Sequence, residues 1–263
     1  MPAQSDMHWT KRIWRTDSGF GRRSVVNRSP RNTWYPTIKA TAEFILASAL
    51  LILAAPVMLI AALLVKMTSR GPAFYTQVRL GKKGQPFTIY KLRTMTHNCE
   101  NFSGPRWSTQ GDSRVTLVGR FLRRGHLDEL PQIWNVLRGD MSLIGPRPER
   151  PEFVPQLEQF LPHYRARLNV RPGVTGLAQV QLPPDTDLGS VRRKLAYDLF
   201  YVRHMSPWMD FRILLCTGLK VLGVPFRFLS LFLWVPSKTS VEHAAYGDPL
   251  NRPMPMPQMQ GAI

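Results

Sequence analysis

The longest apolar run in the chain is FILASALLILAAPVMLIAALLV, residues 44 to 65, which is 22 residues long, has Ser48 as its only hydroxyl and carries no charge. As one helix it would reach roughly 33 Å, enough to cross a bilayer. A secretory signal is disfavoured because the run starts late and is too long. A buried helix of a soluble core is the plainer alternative. Pro56 sits near the middle of the run. It removes a backbone donor and crowds the preceding turn, so a sharp kink is expected there.

Beyond the run the pattern changes. Ala73 to Leu80 and Pro86 to Leu92 read as short strands around a turn containing Gly81 and Gly84, which predicts a β-hairpin. Residues 112 to 125 place Val118, Phe121 and Leu122 at helical spacing, with Arg120, Arg123 and Arg124 largely on other faces. Leu130, Ile133, Trp134 and Leu137 then repeat as one face of a second amphipathic helix. Residues 211 to 235 are apolar but broken by Lys220, Pro225 and Arg227, so interfacial helices are expected there rather than a second span. Residues 249 to 263 are rich in Pro, Met and Gln and read as a disordered tail. The expected organisation is a basic arm over 1–40, a membrane helix over 41–66, a catalytic domain over 67–210, interfacial helices over 211–236 and a tail over 237–263.

Charge adds a constraint. Thirty-five Lys and Arg against 17 Asp and Glu leave a net charge of +18 in 263 residues, which favours polyanionic partners: nucleic acid, anionic lipid or phosphorylated substrate. Both flanks of the apolar run are basic. Lys39 and the arginines before it precede the run, and Lys66, Arg70, Arg79, Lys82, Lys83, Lys91 and Arg93 follow with no acid among them. A simple span would put one basic flank outside, against the positive-inside tendency. A re-entrant helix, broken at Pro56, keeps both flanks in the cytoplasm at the cost of freed carbonyls at membrane depth. Cys99 and Cys216 lie far apart, without ligands at metal spacing, so no disulfide framework or zinc site is indicated.

Candidate chemistry concentrates in LDELPQIWNVLRGDMSLIGPRPERPEF, residues 127 to 153. Pro131 is tolerated only in a first helical turn, so Asp128 and Glu129 belong at the helix start. The helix dipole and neighbouring arginines would there lower their pKa values, suiting a nucleophile or a metal ligand. Acids that merely cap a helix have the same pattern. Arg147 is held between Pro146 and Pro148, a stiff setting for presenting a guanidinium to phosphate, although a solvated loop arginine fits too. Neither G-x-G-x-x-G nor the P-loop pattern occurs.

Six ordered segments, GPAFYTQ, Arg79 to Gly81, IYKLRTM, DSRVT, LDELPQIWNVLRGDMSLIGPRPE and RPGVTGLAQV, follow the basic-flanked run. In these the chain resembles the bacterial sugar transferase family, the monotopic polyprenyl-phosphate sugar-1-phosphate transferases, over about residues 41 to 220. The resemblance implies an α-rich α/β fold with a Pro-kinked re-entrant helix and a cytoplasmic catalytic domain, seated on the bacterial inner membrane. It implies transfer of a sugar-1-phosphate from a UDP-sugar to polyprenyl phosphate with release of UMP, and a requirement for Mg²⁺ or Mn²⁺. Asp128 would be the nucleophile that forms a phosphosugar-aspartyl intermediate, and Glu129 would assist through the metal, to which Asp128 is also a candidate ligand. Arg93, Arg123, Arg124 and Arg147 are candidate cations for the substrate phosphates. Anionic lipids are expected partners, a homo-oligomer is left open, and nucleic acid is not expected, because no recognised binding fold appears. A non-catalytic membrane scaffold of the same fold and a basic membrane-tethered nucleic-acid binder are the remaining alternatives. Where the family commonly has Ser-Pro at the membrane break, this chain has Ala55-Pro56. It also resembles the minimal form, without the additional helices that larger members carry.

Overall fold

The computed structural model describes residues 34–100, 111–185, 187–224 and 236–246. The basic arm before residue 34, residues 225–235 of the expected interfacial segment and the tail from residue 247 lie outside the described residues.

The apolar run forms helix α1, Tyr35–Thr68, which is longer at both ends than its hydrophobicity indicates. It is one continuous helix with Pro56 inside it, so the expected division into two helices is not observed. Pro56 nonetheless leaves the Ile52 carbonyl without its usual donor, a built-in weak point for bending. Much of the surface of α1 meets no protein: Ile52 is 75% and Leu59 73% exposed. Among the described residues α1 alone is long and apolar enough to cross a membrane.

Both ends of α1 are nevertheless fastened to the rest of the molecule. Near its start, buried Lys39 donates to the Asp210 carboxylate at 2.5 Å and to the Ile144 carbonyl and the Tyr201 hydroxyl at 2.8 Å each. The Tyr35 hydroxyl donates to Asp210 at 2.6 Å, and Glu43 accepts from Ser142 Oγ at 2.7 Å and from Ile144 N at 3.2 Å. At the other end Ala61 and Val65 pack with Leu92 and Leu122. There the Arg93 guanidinium donates to the carbonyls of Ser69 (2.9 Å) and Arg70, tying down the backbone just past the helix. Buried charges need such partners, because an unpaired ion in a core is strongly destabilising.

Strands β1, Phe74–Leu80, and β2, Pro86–Leu92, form the expected antiparallel hairpin, with Phe74 opposite Leu92 and Leu80 opposite Pro86. Lys83 at its turn takes a positive φ of 56°. Helix α2, Leu117–Arg124, is capped by Thr116, whose hydroxyl accepts from Gly119 N at 2.9 Å. It lies so close to the hairpin exit that a Cβ on Gly119 would fall 2.0 Å from the Thr94 carbonyl oxygen. A short 3₁₀ turn, Leu127–Glu129, leads into helix α3, Gln132–Leu137.

The remaining elements are strand β3, Ser142–Ile144; helix α4, Val154–Phe160; a 3₁₀ stretch, Tyr164–Asn169; strand β4, Gly173–Thr175; and helices α5, Leu177–Gln181, α6, Leu188–His204, α7, Pro207–Val221, and α8, Lys238–Tyr246. β3 and β4 pair in parallel. Their loops touch through glycine: a Cβ on Gly173 would approach Gly145 N to 2.1 Å, and one on Gly176 would approach the Gly145 oxygen to 2.2 Å. Helix α7 begins four residues before the domain boundary expected at 211 and belongs to the main core, burying Met209, Ile213 and Cys216 against Tyr197, Tyr201 and Val202. Its other face exposes Trp208 and Phe211.

Candidate active site

The two carboxylates at the start of α3 have different surroundings. Glu129 is clamped. Lys91, from the end of β2, donates to its Oε1 at 2.8 Å. Arg147 adds a two-pronged contact, one nitrogen to Oε2 at 3.1 Å and the other to Oε1. Burial by itself would raise the Glu129 carboxyl, but the Arg147 and Lys91 charges and hydrogen bonds outweigh it and hold the pKa well below the usual range. Asp128 is 8% exposed and, among the described residues, its carboxylate accepts no hydrogen bond. Burial first, and the adjacent Glu129 charge second, raise its pKa against the pull of Lys91, Arg123 and Arg147. This corrects the expectation that dipole and arginines would depress it. The carboxyl lies in a 3₁₀ turn set back in the protein, so desolvation outweighs the attraction.

The expected cations separate into groups. Arg147 belongs to the dyad and Arg123 is near enough to act on Asp128, with its Nε on Thr94 Oγ1 at 2.8 Å. Arg124 is exposed on α2, as is Arg120. The Arg93 guanidinium is engaged by the backbone after α1, which makes it an anchor of that helix end.

Several residues that position the site gave little sign of it in the sequence. Arg167, 3% exposed, donates to the Arg147 carbonyl at 2.8 Å and pairs with Asp198 at 2.7 Å. Arg79 donates to the Pro148 carbonyl at 3.1 Å, fixing the loop from its other side. The proline frame of Arg147 is thus held by two arginines. Lys39 donates to the Ile144 carbonyl and Glu43 accepts from the Ile144 N–H, so together they hold both backbone groups of the residue just before the loop. Their i, i+4 spacing beside an apolar run was the one available signal. Lys91 stands in IYKLRTM, where alternation marks it as a strand residue without showing which partner it meets.

Divalent-cation chemistry can be tested against the donors present. Among the described residues no cluster of three or more His, Cys, Asp or Glu exists, so a cage made only of protein ligands is not supplied. Mg²⁺ commonly takes one or two carboxylates and completes its shell with water and substrate phosphates. Asp128, uncommitted, and the remaining Oε2 lone pair of Glu129 fit that mode.

A clamped carboxylate beside a buried uncommitted one, with fixed cations around them and an apolar anchor-type helix attached, defines a site suited to phosphorylated ligands near a lipid surface. The chain belongs to the bacterial sugar transferase family, whose model matches residues 34–224. It is 45% identical over 181 residues to the UDP-glucose:undecaprenyl-phosphate glucose-1-phosphate transferase of Caulobacter vibrioides, covering 68% of this chain and 67% of that protein. It is 43% identical over 183 residues to the UDP-N-acetylgalactosamine-undecaprenyl-phosphate N-acetylgalactosaminephosphotransferase of Aeromonas hydrophila, covering 70% of this chain and 43% of that one. With the glucose-1-phosphate transferase of Xanthomonas campestris it shares 40% identity over 195 residues, covering 73% and 40% of the two chains. The match therefore spans less than half the length of the last two relatives.

Proposed function

We propose that the protein transfers a sugar-1-phosphate from a UDP-sugar to a polyprenyl phosphate, in two steps through Asp128. The observation that carries this reading is the asymmetry of the dyad: Glu129 is committed to Arg147 and Lys91, whereas Asp128 is buried and, among the described residues, its carboxylate accepts no hydrogen bond. A carboxylate meant only to stabilise the fold would be expected to have partners. In the first step an Asp128 oxygen bonds to the β-phosphorus as the bond from that phosphorus to the bridging oxygen breaks, and UMP leaves with the electron pair. In the second, a phosphate oxygen of the lipid bonds to phosphorus and the Asp128 oxygen departs, restoring the carboxylate. Arg147 and Lys91 keep Glu129 ionised and place fixed positive charge beside the reacting diphosphate, while Arg123 does so from the α2 side. Asp128 and Glu129 would hold the divalent cation, whose contribution is charge neutralisation of phosphate oxygens.

The membrane arrangement follows from α1. Both ends are bound to the same body while the middle exposes long apolar side chains, which supports a helix that enters and leaves one face of the bilayer, with bending at Pro56. The basic flanks favour the cytoplasmic leaflet of the inner membrane.

Purified protein with Mg²⁺ and either UDP-glucose or UDP-N-acetylgalactosamine is expected to exchange labelled UMP into the UDP-sugar without lipid, to show ping-pong kinetics with undecaprenyl phosphate, and to lose both activities in Asp128→Asn. Sequential kinetics in an active protein that shows no exchange would end the covalent reading.

A further inference from the structure

One buried polar group next to the dyad has no use in the free protein. Gln132, at the first position of α3, is 1% exposed, and its side-chain Nε2 has no hydrogen-bond partner. Among the described residues no acceptor reaches that nitrogen. Asn135, one turn further on, shows the contrast: equally buried, it accepts from Tyr90 N at 3.2 Å and donates to the Thr88 carbonyl at 2.7 Å. An orphaned buried amide is expensive, about 1–3 kcal/mol, and such groups in native folds need an explanation.

Position supplies one. Leu130 and Pro131 both have right-handed helical backbone, so the turn carrying the dyad runs into α3 and places Gln132 one turn from Asp128 and Glu129. Glu129 already has its donors, but among the described residues the Asp128 carboxylate has none. A free donor and a free acceptor, both buried and one turn apart, would bond to each other if Gln132 served to orient Asp128. They do not.

We infer that the Gln132 side-chain amide is a substrate-binding donor, reserved for a phosphoryl oxygen of the sugar phosphate as it transfers to Asp128. This rests on the covalent reading above. When the Asp128 oxygen bonds to phosphorus and UMP leaves, the remaining phosphoryl oxygens sit next to the carboxyl, within reach of a donor one turn away. That donor is held in place in a dry setting before substrate arrives and strengthens as charge builds on those oxygens.

Gln132→Met tests this, since methionine keeps length and volume but cannot donate. Removing an orphaned amide should leave the Tm unchanged or raise it. The same variant should lower kcat for UMP release about 100-fold, with a much smaller change in KM, as for a lost transition-state donor. UMP exchange is measured beside it, with UDP-glucose and UDP-N-acetylgalactosamine as the probes. Wild-type turnover in Gln132→Met overturns the inference, as does a fall in Tm that accounts for the lost activity. An active wild-type protein without exchange overturns the covalent reading and this inference with it. Exchange in the wild type with an unaffected Gln132→Met overturns the inference alone.

Discussion

At the residue scale, one pair of adjacent carboxylates is given two environments. Glu129 receives Lys91 and Arg147. Asp128 remains buried, accepts no hydrogen bond among the described residues, and is harder to ionise than an ordinary aspartate despite the nearby Lys91, Arg123 and Arg147 charges. The stability consequence has a definite sign. A raised folded pKa means that ionised Asp128 destabilises the fold at any pH above that value. Asp128→Asn is therefore expected to be inactive yet to melt higher than wild type at pH 7. The difference should shrink as pH falls through the raised folded pKa, and vanish near the ordinary value of 3.8. Melting curves of both proteins across pH 3.5 to 8 would check it, and a lower Tm for Asp128→Asn at pH 7 would contradict the assignment. The helix start was legible in Asp-Glu-Leu-Pro, but that pattern also fits acids that merely cap a helix, and it was the family resemblance that singled out Asp128 and Glu129. Their pKa order was not legible, because desolvation depends on what covers the turn.

At the element scale, the loop carrying Arg147 is held by parts of the chain remote in sequence. β3 is fixed to α1 by Lys39 and Glu43, its loop touches β4 through glycines, and Arg79 and Arg167 grip the proline frame. Lys39→Met leaves Asp210 and Glu43 buried without their cation, so a loss of about 3–5 kcal/mol is expected. Because Lys39 also holds the Ile144 carbonyl, the variant should bind UDP-sugar more weakly even at temperatures where it stays folded. Denaturant melts together with KM measurements would show both effects, and a change in stability alone would mean that the network does not reach Arg147. The hairpin and the helices around the dyad were legible from alternation and helical spacing. The β3–β4 pairing was not, since strands of three residues each leave no periodicity to read.

For the whole molecule, the question is where α1 and the body lie relative to a bilayer. With both ends of α1 tied to one body, the amino-terminal arm and the hairpin should face the same side. Single cysteines at Ser18 and Lys83, in a background lacking Cys99 and Cys216, should both be protected from an impermeant thiol reagent in intact cells and both react after lysis. Labelling of the Ser18 position alone from outside would show a spanning helix.

The sequence by itself determined the apolar helix, the hairpin, the amphipathic pair around Asp128 and Glu129, and the family, because each depends on local periodicity or on contiguous motifs. Tertiary structure alone decided which arginines meet the dyad, assigning Arg147 to Glu129 and Arg93 to the end of α1. It also brought Lys39 to Asp210 across 171 positions and, among the described residues, left Gln132 Nε2 without a partner. The physical reason is common to these cases. Ion pairing and desolvation are set by distances in space between segments far apart in the chain, and no local pattern records them.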